Sequence, residues 1–158
     1  MFDDIDTKIL TIIQDNARVT NVEIARQVGM VPSAVLDRLR KLETRGIIQG
    51  YETRLDPRGV GMGLLAFVFV RTNERLGEPE TAGELARIPE VLEVHHVAGE
   101  DCYLVKVRVA DTDALGSLLR EKFGAIPTIR STRTTIVLAT VKETMRIPVQ
   151  TQQEYSYE

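Results

Sequence analysis

The sequence is poor in residues that build covalent or metal scaffolds. Its 158 residues include one Cys, two His and no Trp. A single Cys excludes a disulfide framework within one chain. It also excludes a Cys-rich zinc module, which needs about four ligands. Long apolar runs are missing too: the longest, Leu64 to Val70, is far short of the ~20 residues of a membrane helix. The N-terminal Met1-Phe2-Asp3-Asp4 is acidic and lacks the basic-then-apolar pattern of a signal peptide. The expectation is a protein of the reducing cytoplasm with no membrane partner. No Gly-rich phosphate loop, paired-carboxylate motif or metal-ligand spacing is present, and Gly59-Val60-Gly61 reads as a hinge. No cofactor and no metal are expected.

What remains is 43% hydrophobic and 27% charged, the balance of an ordinary folded protein. The length suits one ordinary domain or two small ones. A net charge of −3 argues against a nonspecific nucleic-acid coat, but charge is unevenly spread. Val31 to Gly46 carries Arg38, Arg40, Lys41 and Arg45 against Asp37 and Glu43, whereas Glu143 to Glu158 is acidic. The basic excess sits on one short segment.

That segment belongs to a predicted three-helix unit over residues 1–50. Asp3 and Asp4 can cap a first helix whose buried face is Ile5, Ile9, Ile12 and Ile13. Thr20-Asn21-Val22-Glu23 has the pattern of a capping box for the second helix, with Ile24, Ala25 and Val28 as its apolar stripe. Gly29 ends that helix, and Pro32 suits the first position of the third, where its missing N–H costs nothing. Val35, Leu39 and Leu42 form the inner face, and Gly46 closes the unit. Helix, short Gly turn, helix is the spacing of a helix-turn-helix.

Ile47 to Leu55 is predicted as a strand. Asp56-Pro57-Arg58-Gly59 reads as a turn, and the alternating Gly59, Gly61 and Gly63 complete a linker over 51–63. Residues 64–142 then read strand (Leu64–Arg71), helix (Pro79–Ile88), strand (Val91–Ala98), strand (Tyr103–Val109), helix (from Asp111 or Asp113 to Gly124) and strand (Thr128–Lys142). The order βαββαβ is ferredoxin-like, which makes the whole an α+β protein. Residues 143–158 are a polar tail. Seven consecutive apolar residues, Leu64 to Val70, abolish alternation and predict a strand buried on both faces. Two helices cover one face of such a sheet; a second copy of the chain is the economical cover for the other. The alternative cover is the chain's own Arg146–Glu158 tail.

The DNA-contacting set predicted from this pattern is Thr20, Asn21, Pro32, Ser33, Ala34, Asp37, Arg38 and Lys41. Small residues at Ser33 and Ala34 permit close approach to base edges, and Arg38 and Lys41 reach guanine edges or phosphates. Asp37 either accepts from a cytosine amino group or pairs with Arg40 or Lys41. Substituting Arg38 is expected to reduce site discrimination more than substituting Arg18. The competing reading of a mixed-charge helix is a solvated face, which makes the chain a small-molecule-binding oligomeric module without DNA binding. A Cys102–His pair is the enzyme reading. A lone Cys on a strand is more often a small core residue, and His95 and His96, adjacent on a strand, point to opposite faces.

Together the pieces resemble the Lrp/AsnC family of transcription regulators. The resemblance is carried by Ile5-Asp6-Thr7-Lys8-Ile9-Leu10, Asn16-Ala17-Arg18, Glu23-Ile24-Ala25, Val35 to Glu43, and Gly46-Ile47-Ile48-Gln49-Gly50-Tyr51. It implies an N-terminal DNA-binding domain and a C-terminal ligand-sensing domain. It also implies homodimers that assemble further, commonly to octamers, on double-stranded DNA, with an amino acid as effector in clefts between dimers. Gly99, Glu100, Asp101 and Cys102 stand where the family has Gly-Asp-aromatic-Asp, and Thr132 and Thr134 match Thr positions near that cleft. Val31 stands where many members have a capping Ser or Thr.

Overall fold

The computed structural model describes residues 3–74 and 80–150. It divides into two compact units: the described residues through Thr53 together with those from Glu143, and Arg54–Lys142.

In the first unit, α1 (Asp4–Asp15), α2 (Asn21–Val28) and α3 (Pro32–Thr44) surround a core of Ile9, Ile24, Ala25, Val35 and Leu39. Local chemistry sets the helix ends. Asp3 caps α1 in a reciprocal box: Asp6 N–H donates to Asp3 Oδ1 at 2.9 Å, and Asp3 N–H donates to Asp6 Oδ2 at 3.2 Å. Thr20 caps α2 by accepting from Glu23 N–H at 3.2 Å. The expected reciprocal half is not made, because Arg26 and Gln27 engage the Glu23 carboxylate. Charge-assisted bonds from a guanidinium outcompete one neutral backbone N–H. Gly29, at φ +70°, supplies the left-handed residue that ends α2. Val31 precedes α3 without a side-chain cap, and Pro32 opens it.

The described part of the tail joins this unit. The Gln14 side-chain amide donates to the Ile147 carbonyl at 3.0 Å and accepts from Ile147 N–H at 2.8 Å, while Arg146 pairs with Asp15 at 2.6 Å.

The strand expected over Ile47–Leu55 is not formed. Ile47 and Ile48 turn back toward the end of α3, where both N–H groups donate to the Leu42 carbonyl. Tyr51 and Leu55 are exposed. Strand propensity needs a neighbouring backbone to pair with, and among the described residues none pairs with this segment.

In the second unit, β1 (Leu64–Thr72), α4 (Glu80–Ala86), β2 (Val91–His96), β3 (Tyr103–Val109), α5 (Thr112–Ser117) and β4 (Ile129–Ile136) follow in the expected order. Pro79, expected at the start of α4, lies outside the described residues. The antiparallel sheet runs β2-β3-β1-β4. Asp111 is the cap of α5, accepting from Ala114 N–H at 2.8 Å. The helix continues into a π-helical turn over Leu118–Phe123 and stops at Gly124, where a Cβ would lie 2.4 Å from the Arg120 carbonyl oxygen. Ala66, Val68 and Val70 of β1 pack with Val105 and Val107 of β3 against Leu85, Leu115, Leu118 and Phe123.

A polar cluster ties the start of α4 to the sheet. Glu74 Oε1 accepts from the backbone N–H and the hydroxyl of Thr81, and Glu74 Oε2 accepts from the Tyr103 hydroxyl at 3.2 Å. Thr81 is fully buried, and its hydroxyl also meets that of Thr128 at 2.5 Å.

The last strand is shorter than expected. Ile136 pairs with Ala66, Val137 N–H reaches the Leu65 carbonyl at 2.9 Å, and only Leu64 of β1 lies beyond that point. Leu138 and Val141, read as strand residues, are therefore 95% and 100% exposed. On β1, burial alternates from Ala66 to Val70: Ala66, Val68 and Val70 are fully buried under the helices, whereas Phe67 and Phe69 on the other face are half-buried; Leu65, on the face of Phe67, is buried as well.

Candidate nucleic-acid interface and effector turn

The buried stripe of α3, Val35, Leu39 and Leu42, fixes which side chains face away. Ser33, Asp37, Arg40 and Thr44, spaced four, three and four residues apart, form one exposed outward row. Lys41 flanks it and pairs with Asp37 at 2.7 Å, the partnership the sequence allowed for that carboxylate. Pro32 is exposed, Ala34 half-buried. Thr20 is exposed with its hydroxyl committed to the α2 cap, and Asn21 is half-buried beside it.

Arg38 requires a correction. Sequence reasoning placed it with the outward residues, but it lies on the flank toward α1. Its Nη1 pairs with Asp6 at 2.7 Å and with Asp3 at 2.9 Å. Its side chain is 26% exposed and that of Asp6 only 12%. The two carboxylates hold the guanidinium above its ordinary pKa, Asp6 contributing most. Asp3 is correspondingly lowered, by the Asp6 backbone N–H and by Arg38. Arg38 therefore clamps the α1 cap to α3 and is not a free cation of the outer face. The arginine on the outward row is Arg40. Its signal was available: it sits on the row of Ser33 and Asp37, one helical step further than Arg38 from the buried stripe.

At the hairpin turn between β2 and β3, Gly99 adopts φ +130°. Asp101, next but one, is gripped by two arginines: Arg133 Nη2 at 2.9 Å and Arg71 Nε at 3.3 Å. Arg71 also pairs with Glu100, whose side chain is 86% exposed. Arg133, foremost, and Arg71 hold the Asp101 carboxyl below its ordinary value against a burial effect that raises it. The Arg133 guanidinium also lies over the Phe69 ring, 4.0 Å from its centroid. Arg71 and Arg133 are the residues that sequence reasoning missed here. Both belong to strands, and only strand register brings them to the turn.

Cys102 is half-buried, and its backbone N–H donates to the Val70 carbonyl at 2.9 Å. Thr132 and Thr134 are not brought to this cluster within one chain. They are opposite Val70 and Val68 and share that sheet face, Thr132 exposed and Thr134 half-buried at the edge strand, whereas Arg133 between them is on the other. His95 pairs with Glu93 at 3.0 Å, and His96 packs on Tyr103 with ring centroids 5.3 Å apart. Neither bonds to Cys102 among the described residues. No described helix is long and apolar enough to cross a membrane.

Residues 65–147 match the Lrp/AsnC ligand binding domain, and residues 2–49 match a winged helix-turn-helix DNA-binding domain. The chain is 37% identical over 153 residues to the leucine-responsive regulatory protein of Escherichia coli strain K12, covering 94% of this chain and 92% of that protein. It superposes with a TM-score of 0.87 on a transcriptional regulator from Neisseria meningitidis in complex with L-methionine, at 32% identity, covering 94% of this chain and 97% of that one. The feast or famine regulatory protein from M. tuberculosis complexed with L-methionine gives 0.86 at 36% identity, covering 94% and 100%.

Proposed function

The chain belongs to the Lrp/AsnC family of DNA-binding transcription regulators, not of enzymes, and from that premise we propose that it is a cytoplasmic regulator whose grip on DNA is set by an amino acid held in the second unit. The observation that carries this reading is the pairing of an exposed polar row on α3 with an arginine-braced acidic turn in the ligand-binding domain. α3 enters the major groove, with Ser33 near base edges and Lys41 toward phosphate. Thr20 and Asn21 at the start of α2 and Pro32 at the start of α3 lie at the groove edge.

The effector is a zwitterion, and the turn offers both signs of charge. Arg71 and Arg133 receive the α-carboxylate, and Glu100 and Asp101 receive the α-ammonium. Two solved relatives that hold L-methionine support an amino acid here. Gly99 shapes the turn and Cys102 lines it. Thr132 and Thr134 reach such a cleft only from a neighbouring copy.

Homodimers form through the sheet face of Phe67 and Phe69 and assemble further, up to the octamer. This presents several α3 helices to successive major grooves of one duplex. Coupling is then a difference in effector affinity between assembly states. Two measurements test the reading. DNA affinity must fall steeply with salt, with log K declining by about 0.9 per neutralised phosphate for each unit of log salt; a flat response removes the DNA role proposed for α3. A thermal-shift screen of the twenty amino acids must find one that raises the melting temperature; no shift from any of them removes the effector assignment.

A further inference from the structure

The cations of the helix-turn-helix are not equivalent. Arg26 is held by Glu23 at 2.6 Å, Arg38 by Asp6 and Asp3, and Lys41 by Asp37 at 2.7 Å. Arg40 alone lies on the outward row of α3 and forms no ion pair or side-chain hydrogen bond among the described residues. A guanidinium already bonded to carboxylates must break those bonds before it can bind a base. One without such bonds offers its planar fork directly, and that fork matches the O6 and N7 acceptors of guanine. Position agrees with chemistry. Long recognition helices read bases with residues spread over about two turns, at spacings of three and four. Ser33, Asp37 and Arg40 have that spacing.

We propose that Arg40 is the specificity-determining residue of this regulator and reads a guanine in the major groove, once in each half-site. This rests on the placement of α3 proposed above. Asp37, beside it on the row, holds Lys41 at the flank, so the second cation of this stretch is a phosphate contact without sequence preference. The row thus carries one base-reading cation and one backbone-positioning cation, sorted by the carboxylate between them.

The experiment is selection from a random duplex library by the full-length chain, with Arg40→Ala, Arg40→Gln and Lys41→Ala in parallel and circular dichroism to check folding. Arg40 is exposed, so its variants keep the fold. Wild type is expected to require guanine at one position per half-site. Arg40→Ala flattens that position by about tenfold to a hundredfold and leaves binding to unrelated duplex within a few-fold. Arg40→Gln moves the preference to adenine, whose N6 and N7 match a carboxamide. Lys41→Ala weakens all sequences alike and reduces the salt slope by about one phosphate. If Arg40→Ala also weakens all sequences alike, or leaves the selected pattern unchanged, the guanine assignment is overturned while α3 in the groove survives through Lys41. If neither variant alters affinity or pattern, the placement of α3 falls with it.

Discussion

A charge counted along a sequence has a sign but no address. Arg38 and Arg40 are near neighbours in one basic segment, yet one is bound to two carboxylates of α1 and the other faces outward. The consequence is a separation of stability from recognition. Removing Arg38 leaves Asp6, with a side chain only 12% exposed, without its cation. A mostly buried carboxylate stripped of its partner costs about 1–3 kcal/mol. Arg38→Ala should therefore lower the denaturation midpoint of the helix-turn-helix, while protein that remains folded keeps its order of preference among DNA sites. Chemical denaturation and competition binding on the same sample check both halves. The opposite outcome, an unchanged midpoint with altered site preference, would restore Arg38 to the DNA face. The ion pairs of Arg38 could not be read from its own segment, because its partners Asp3 and Asp6 lie some thirty residues away. Helix periodicity already sets the two apart, with Arg38 beside the buried stripe and Arg40 on the row of Ser33 and Asp37.

Helix ends were legible where capping is local. Asp3, Thr20, Gly29, Pro32, Asp111 and Gly124 each act within a few residues of their own backbone, so reading along the chain suffices. Strand ends were not. Whether Tyr51 or Leu138 lies in a strand depends on another segment's backbone, and register is a property of the pair. The same limit hid Glu74, which reaches Thr81 on α4 and Tyr103 on β3. Burial pushes its carboxyl up, but hydrogen bonds from Thr81, Tyr103 and Thr72 outweigh that and leave it below its ordinary 4.5. A carboxyl lowered on folding contributes stability that is complete above its unfolded pKa and lost as pH falls through the folded one. Glu74→Gln should thus cost about 1–2 kcal/mol near neutrality. The gap between variant and wild type should close as pH falls below about 4.5, the ordinary value. Melting temperatures from pH 7 to pH 3 test this; a gap that stays constant would mean that shape, not ionisation, holds α4.

For the whole molecule, the relevant asymmetry is between the two faces of the sheet. One face carries Val68, Val70, Val105 and Val107, all fully buried. The other keeps Phe67 and Phe69 half-buried beside charged Lys106, Glu93 and Arg133. Apolar rings framed by charges suit a face that docks against its own copy, since an isologous contact matches each patch with itself. DNA binding gives this a measurable consequence. One helix-turn-helix gains little from a single half-site, but two linked through the sheet convert the second contact into an intramolecular one and raise affinity by about a hundredfold or more. Phe67→Lys places four like charges where a dimer would put its sheets together, two from each copy counting Lys106. It should yield monomer by sedimentation with an unchanged circular dichroism spectrum. Binding to a two-half-site operator should fall by at least that factor, while binding to an isolated half-site barely changes. A Phe67→Lys protein that still sediments as a dimer would put the contact elsewhere. Equal losses on both operators would mean that the substitution damaged the reading unit and not the pairing.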